Sequence, residues 1–329
     1  MSSGLHRERV AVVGVGPAGA IAAAALVARG LDVIAFDKGR GAGGRLSTRR
    51  AGEHRFDHGA QYFTVKSPAI ASRLEQWERK GVVAPWSGPF GTLHADGFRA
   101  HTPRSPRYVA VPGMNALLKH LLAGVDARFG TRVTALSPHR RGWSIHTEHA
   151  VERADRLVLA VPAPQAVPLL GDHRFGDILD KVAYAPCWTA MAAVQGTAAW
   201  SAVRVTDSPL AWVARNQTKP GRPPGQQWVL QASPEWSAAH LENEPEDVAR
   251  ALHHALLALP GMADLRIDAI AAHRWRYALV TDPVGVPCMH DPVVRLTVCG
   301  DGLLGGRVES ALLSGQAAAG LVAQASDRR

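Results

Sequence analysis

Hydrophobic residues near the N-terminus follow the pattern of a strand, a helix and a second strand. Residues Arg9–Val13 form a short apolar run typical of a buried parallel strand, and 31–36 form another. Between them the alanine-rich segment 18–29 predicts a helix, for which Gly30 is a natural C-terminal stop. This order predicts a βαβ unit built on a parallel sheet.

The pattern breaks away after about residue 68. A short amphipathic helix around 72–80 precedes a Pro/Gly-rich stretch at 85–97, and the chain returns to the core at Tyr108. Pro112 and Gly113 open a helix that runs to about Leu122. Further strands are predicted at 131–136, 142–147 and 156–161.

A second region, 167–290, contains six of the nine tryptophans. Its pattern predicts an antiparallel sheet and one helix at 245–259, with strands at 188–194, 210–215, 228–232 and 270–277. A strand at 296–301 and a helix at about 308–325 then close the first domain. We therefore predict a discontinuous first domain (1–68, 101–166 and 291–329) and a second domain (69–100 and 167–290).

The turn between the first strand and helix carries a glycine fingerprint, Gly14-x-Gly16-x-x-Gly19, and an acid follows the second strand. Gly16 lets the backbone approach a pyrophosphate, and the N-terminus of the helix faces that anion. Asp37, about 20 residues further on, is placed to accept hydrogen bonds from ribose hydroxyls and would repel a 2′-phosphate. The strand–turn–helix context predicts a Rossmann-type dinucleotide site.

Composition narrows the class of protein. The three cysteines, of 329 residues, are widely spaced and predict reduced thiols in a cytoplasmic protein. The net charge of +9 comes mostly from arginines scattered singly along the chain, so we expect no nucleic-acid partner. The charge fits a positive field that attracts a polyanionic dinucleotide and fits an arginine-rich genome composition equally well, so it identifies no substrate. We expect no targeting segment and no membrane span. We also expect no metal, because His253 and His254 lack partners at ligand spacing.

Several further segments carry a resemblance to a known family. They are Gly43-Gly44-Arg45, Asp57-His-Gly-Ala-Gln-Tyr62, Arg107-Tyr-Val-Ala-Val-Pro-Gly-Met114, Leu157–Gln165, His273–Ala278 and Cys299–Ala311. Together they resemble the renalase-type branch of the flavin amine-oxidase superfamily, in its bacterial form, along essentially the whole chain. The resemblance implies an α/β plus α+β fold: an FAD-binding domain of the p-hydroxybenzoate hydroxylase or amine-oxidase type and a second domain on an antiparallel sheet.

The same resemblance implies non-covalently bound FAD, and an oxidase of dihydronicotinamide isomers that passes electrons to O2. The expected partners are thus a small-molecule dinucleotide and O2, in a monomer or homodimer. The resemblance also implies which residues bind the cofactor. They are Gly14, Gly16, Pro17, Ala18, Gly19, Asp37, Lys38, Gly44, Arg45, Gln61, Tyr62, Val133, Gly300, Asp301, Val308 and Glu309.

Strand alternation puts His273, Trp275 and Tyr277 on one face and Arg274 and Arg276 on the other. We expect the aromatic face to orient the substrate ring, without an essential base, although a packed aromatic core would have the same pattern. Two other functions remain open: an amine oxidase or desaturase relative with another donor, and a non-catalytic flavin-binding protein.

Overall fold

The computed structural model describes residues 7–327, so the predicted domain ends at 1–6 and 328–329 lie outside the described residues. Its strands, in chain order, are β1 (Arg9–Val13), β2 (Asp32–Phe36), β3 (Thr48–Ala51), β4 (His54–Asp57), β5 (Val83–Pro85), β6 (Phe90–His94), β7 (Gly97–Ala100), β8 (Tyr108–Ala110), β9 (Asp126–Arg128), β10 (Val133–His139), β11 (Gly142–Thr147), β12 (Val151–Ala154), β13 (Arg156–Leu159), β14 (Ala183–Gln195), β15 (Ala202–Val205), β16 (Leu210–Arg215), β17 (Gln227–Ala232), β18 (Arg266–Asp282), β19 (Met289–Asp291) and β20 (Leu296–Val298).

The helices, again in chain order, are α1 (Pro17–Val27), α2 (Pro68–Arg79), α3 (Ala116–Leu121), α4 (Ala163–Leu170), α5 (Phe175–Leu179), α6 (Pro234–Ala239), α7 (Pro245–Leu257), α8 (Asp301–Leu304) and α9 (Val308–Asp327). Short 3₁₀ turns occur at Gly44–Leu46 and Asn216–Thr218.

The chain divides into two compact units, each discontinuous in sequence. The first comprises residues up to Gly44, Leu118–Ala183 and those from Val280 onward; the second comprises Arg45–Leu117 and Tyr184–Leu279. Our predicted boundaries differ from this division. The sequence predicts 45–68 and 101–117 in the first domain, whereas the carbonyls of His58, Gly59 and Ala110 accept hydrogen bonds from β18, β17 and the loop after β16. Conversely, 167–183 and 280–290 belong to the first unit.

A six-stranded sheet of order β19-β20-β13-β1-β2-β9 forms the first unit. The strands pair in parallel apart from β19, and Val10–Val13 of the central β1 are buried. Helices α1 and α9 pack in close contact at Gly315. A Cβ there would lie only 2.1 Å from the Ala18 carbonyl oxygen, so the contact requires glycine. The predicted Rossmann-type fold is thereby confirmed, together with its first βαβ unit. Helices α4 and α5 and the antiparallel sheet β10-β11-β12 complete the unit.

The second unit contains a seven-stranded sheet of order β18-β14-β17-β16-β15-β6-β7. The β14–β17, β17–β16, β16–β15 and β6–β7 pairs are antiparallel, as predicted, whereas β15 and β6 run parallel. Trp188 and Trp228 are buried in its core with Leu252 and Leu256 of α7. The Pro/Gly-rich stretch 85–97, for which the sequence predicts no strand, contains β6, whose parallel partner β15 lies more than 100 residues away in the chain.

Candidate active site

The turn between β1 and α1 uses its three glycines in three different ways. Gly14 adopts a φ of +91°, which favours glycine. A Cβ on Gly19 would lie 1.9 Å from the Gly14 carbonyl oxygen, so Gly19 permits the close approach of helix and strand. Around Gly16, by contrast, no described atom lies within 4 Å of where a Cβ would stand. Gly16 therefore leaves open space beside the N-terminus of α1, as close approach of a pyrophosphate requires.

Asp37 lies beside this turn, at the end of β2. Its Oδ2 accepts a hydrogen bond from the Val15 N–H at 2.9 Å, and its Oδ1 accepts one from the Gly39 N–H at 2.7 Å. A carboxylate has room for about four such bonds, so acceptor capacity remains for a ligand's hydroxyls. Lys38 donates to Gln165 at 3.0 Å, and burial lowers the pKa of its ammonium group.

The remaining predicted cofactor residues of the first unit lie on several elements. A Cβ on Gly44, whose φ is +51°, would stand 3.4 Å from the Gly16 Cα, so the two glycine segments do come together. Gly300 precedes α8, and its N–H donates to the buried Ser314 Oγ at 2.8 Å. Three residues begin elements: Asp301 begins α8, Val308 begins α9 and Val133 begins β10. Glu309 is buried in the first turn of α9.

A buried charge cluster dominates the second unit. The side chains of Asp57, Lys219 and Arg222 are fully inaccessible to solvent. Asp57 Oδ2 accepts from Lys219 Nζ at 3.2 Å and from Arg222 Nη2 at 2.6 Å, while Oδ1 accepts from Thr48 Oγ1 and the Met114 N–H. The two cations hold the pKa of the Asp57 carboxyl well below its usual range. Burial lowers the pKa of Lys219 to about 8, against the opposing attraction of Asp57.

This cluster fixes the turn 57–61, which follows β4. Gln61 is buried; its Nε2 donates to the Gly59 carbonyl at 2.9 Å, and its Oε1 accepts from Lys219 Nζ at 3.2 Å. Gly59 has no room for a side chain, because a Cβ would lie 2.0 Å from the Arg45 carbonyl oxygen. The Gln61 amide is thus held by hydrogen bonds within the cluster and the turn.

His58, His273 and Trp275 form one aromatic cluster. The His273 and Trp275 ring centroids lie 4.5 Å apart, and the His58 ring lies 5.0 Å from His273 and 5.1 Å from Trp275. The Trp275 indole N–H donates to the His58 carbonyl at 2.7 Å, which ties β18 to the turn. Burial, aided by the charge of Arg49, lowers the pKa of His58 to about 4 and that of His273 in the same direction. Both imidazoles are therefore neutral at pH 7.

Tyr277, Arg45 and Tyr62 are the other predicted substrate and cofactor residues of the second unit. Tyr277 packs edge-on against Tyr184, with ring centroids 5.7 Å apart. Arg45 Nη1 donates to the carbonyls of Tyr277 and Ala278. On the opposite face of β18, Arg274 and Arg276 both pair with Glu242, so the predicted alternation holds. Tyr62 is half-buried among aromatic rings.

Our sequence reasoning missed several residues of this site. The sequence alone gives His58 no role, although its ring lies beside those of His273 and Trp275. Lys219 and Arg222 lie in a Pro/Gly-rich segment and gave no signal, because their partner Asp57 is more than 160 residues away. Within residues 7–327, no group of three or more His, Cys, Asp or Glu residues could hold a metal ion. In the same range, no helix is long and apolar enough to cross a membrane.

Comparison with known proteins agrees with this geometry. Residues 12–77 match the NAD(P)-binding Rossmann-like domain, and residues 78–323 match the flavin containing amine oxidoreductase family. The fold and the glycine turn define an FAD-dependent oxidoreductase. Because the second match covers most of the chain, the protein belongs to the flavin containing amine oxidoreductase family.

Solved structures share the fold at low sequence identity. A candidate protoporphyrinogen oxidase from Exiguobacterium sp. 255-15 is 14% identical, with a TM-score of 0.75 over 98% of this chain and 100% of that one. Cyclohexylamine oxidase from Brevibacterium oxydans IH-35A is also 14% identical, with a TM-score of 0.76 over 98% and 100%. Putrescine oxidase is 15% identical, with a TM-score of 0.72 over 96% and 99%. At such identities these likenesses show the fold alone.

Proposed function

We propose that the protein is a renalase-like oxidase of dihydronicotinamide isomers, 2- and/or 6-dihydro-NAD(P), which it returns to NAD(P)⁺. Bound FAD would supply the redox chemistry: it would accept a hydride from the ring, and O2 would then take both electrons, together with that hydride's proton and one proton from water, to give H2O2. The first unit would carry the FAD and the second the substrate. The bound substrate ring then needs orientation more than acid–base chemistry, because it becomes aromatic without losing a proton.

The observation that carries this proposal is the chemistry of the His58–His273–Trp275 cluster. It offers aromatic surfaces and two imidazoles that burial keeps neutral. The nearest acid along the chain, Asp57, is fully buried and paired with two cations, so it is not available as a base. Because their pKa is lowered, the two imidazoles are weak bases, so a donor whose oxidation requires no proton removal suits such a site best.

Anaerobic mixing tests the proposed function. The FAD-loaded protein is mixed with aged NADH that contains the 2- and 6-dihydro isomers, and in parallel with pure 4-dihydro NADH and with an aliphatic amine. We expect only the isomer mixture to bleach the flavin rapidly, with the yellow colour and H2O2 appearing once air is admitted. Bleaching by the amine alone would replace the proposed substrate with an amine donor.

Replacing His273 should slow flavin reduction by about tenfold or less, because only substrate orientation is lost. Loss of a true acid–base group typically costs about 10²–10⁴-fold. Since the pKa of each imidazole is lowered, both stay neutral above about pH 7, and the rate should be flat from there to about pH 9. Stopped-flow reduction of His273→Ala across pH is the measurement.

Arg276→Ala provides the matched control, since Arg276 lies on the same strand but on the opposite face, paired with Glu242. We expect its reduction rate to stay near that of the unmodified protein. A loss of several orders of magnitude in His273→Ala, together with a steep pH dependence that the substitution removes, would make His273 a base.

Asp37→Ala should weaken FAD binding by about 1–3 kcal/mol, through loss of charge-assisted hydrogen bonds to the ribose. Isothermal titration of the apoprotein with FAD measures the change. Asp32→Ala is the control, because Asp32 begins the same strand and pairs with Arg9 at the surface. Equal affinities in the Asp37 and Asp32 variants would remove Asp37 from the cofactor site.

A further inference from the structure

Arg107, immediately before β8, is enclosed by aromatic rings of the second unit. Its guanidinium carbon lies 4.2 Å from the ring centroid of Phe90, 4.6 Å from that of Tyr62 and 5.4 Å from that of Trp212. These rings come from three separate parts of the unit: the segment after β4, the start of β6 and the middle of β16. The guanidinium therefore sits in a box whose walls are faces and edges of aromatic rings.

Two hydrogen-bond donors of this box have no partner among the described residues. Arg107 is only 7% exposed, and within the described chain its buried Nη1 has no hydrogen-bond partner. The buried indole Nε1 of Trp212 also lacks a partner among the described residues. A buried charge without an acceptor carries a large desolvation cost, of which cation–π contacts offset only part. Two unsatisfied donors thus lie beside the same rings.

A second cation acts on the box. Arg204 lies directly opposite Trp212 in the β15–β16 register, and its charge acts against that of Arg107. Lys219, whose Nζ lies 5.3 Å from the ring centroid of Trp86, is compensated by Asp57. Arg107 and Arg204 therefore favour an electron-rich oxygen at this position.

We propose that Arg107 and Trp212 form a subsite for the carbonyl or carboxylate oxygen of a planar aromatic ring, which stacks beside Tyr62. The guanidinium carbon lies 5.4 Å from the Trp212 ring centroid, so the two orphaned donors belong to neighbouring groups, and the aromatic walls suit a flat ligand. Phe90 and Trp212 are buried whereas Tyr62 is only half-buried, so Tyr62 is the most exposed of these three rings. This assignment rests on the proposed function, in which the oxygen belongs to the carboxamide of the nicotinamide ring.

Titration of the FAD-loaded protein with three small probes tests the subsite. Nicotinamide and nicotinate carry the acceptor oxygen, whereas pyridine has the ring alone. By isothermal titration we expect both oxygen-bearing probes to bind at least about tenfold more tightly than pyridine, as a hydrogen bond to a charged donor allows. Failure of nicotinamide and nicotinate to outbind pyridine would overturn the assignment.

Arg107→Met removes the donors but keeps an apolar side chain of similar length. We expect it to weaken nicotinamide and nicotinate by about tenfold or more, while pyridine is unchanged. Arg99→Met is the matched control, because Arg99 is an exposed arginine paired with Asp96 on the β6–β7 hairpin. If Arg107→Met lowers the melting temperature but leaves the affinity for nicotinamide intact, Arg107 has only a structural role and the proposal is wrong.

A second variant covers the case in which Arg107→Met does not fold, as judged by circular dichroism. Trp212→Phe keeps an aromatic ring and removes the indole N–H, so it should weaken nicotinamide binding severalfold and leave pyridine binding unchanged. Unchanged nicotinamide affinity in this variant would overturn the subsite.

The result for this subsite is separable from the result for the proposed function. Arg107-dependent binding without bleaching by dihydronicotinamide isomers would retain the subsite and reject the function, and bleaching without Arg107 dependence would do the reverse.

Discussion

The Gly16→Val protein should fold normally and purify without its yellow colour. The Cβ of a valine at this position would meet no described atom within 4 Å apart from its chain neighbours, so its attachment point is open. That same open space lies at the N-terminus of α1, where the backbone must approach the pyrophosphate of FAD. We therefore expect cofactor retention to be abolished. The absorbance of the purified protein and titration of the apoprotein with FAD measure the effect.

Gly320→Val is the control for the added bulk, since Gly320 lies in α9 and a Cβ there also meets no atom within 4 Å. It should retain FAD. Gly19→Ala provides a contrast: its methyl group would lie 1.9 Å from the Gly14 carbonyl oxygen, so that variant should lose fold stability as well as flavin. A yellow Gly16→Val protein would show that the pyrophosphate does not pass this turn.

The nucleotide-binding half of the fold was predictable because its signals are local. Gly14, Gly16, Gly19 and Asp37 fall within one βαβ unit, and short-range apolar periodicity determined each element. The same local signals gave no strand for 85–97, a stretch rich in Pro and Gly. Strand β6 forms there because β15 and β7 pair with it. Its partner β15 lies more than 100 residues away, so a pattern of neighbouring residues could not predict that pairing.

Long-range partners also explain what the sequence left out of the site. The alternation along β18 correctly separated His273 and Trp275 from the arginines that bind Glu242. It could not reveal that the Trp275 indole holds the His58 carbonyl, nor that Arg107 is enclosed by rings. Such contacts depend on side chains from distant segments meeting in three dimensions, which composition and spacing do not encode.

The largest expected loss of stability comes from Asp57→Asn. The substitution removes the carboxylate that neutralises two fully buried cations, Lys219 and Arg222. Breaking a buried ion pair by removing one partner costs about 3–5 kcal/mol, because a charge is left uncompensated. We expect urea denaturation to show a decrease of that size in the free energy of unfolding. Asp96→Asn is the control, since it breaks an exposed pair with Arg99 and should cost about 1 kcal/mol or less.

The decrease in the free energy of unfolding caused by Asp57→Asn should also depend on pH, because the two cations differ in whether they can lose a proton. Arg222 cannot release its proton, but Lys219 can: burial lowers its pKa to about 8, and Asp57 opposes that shift. Without Asp57, the pKa of Lys219 in the folded protein should fall further, while in the unfolded chain it stays near about 10.4. Between those two values the unfolded state binds more protons, so stability rises with pH, and it starts to rise at a lower pH in the variant.

The destabilisation should consequently be greatest below neutral pH and smaller at about pH 9, where Lys219 is largely uncharged in both folded proteins. Asp57 itself contributes no pH dependence in this range, because its lowered pKa keeps it ionised throughout. Urea titrations at several pH values compare the two proteins directly. A loss that is small and independent of pH would mean that the Gln61 amide oxygen and the Ala110 carbonyl, which already accept from Lys219 and Arg222, suffice to hold both cations.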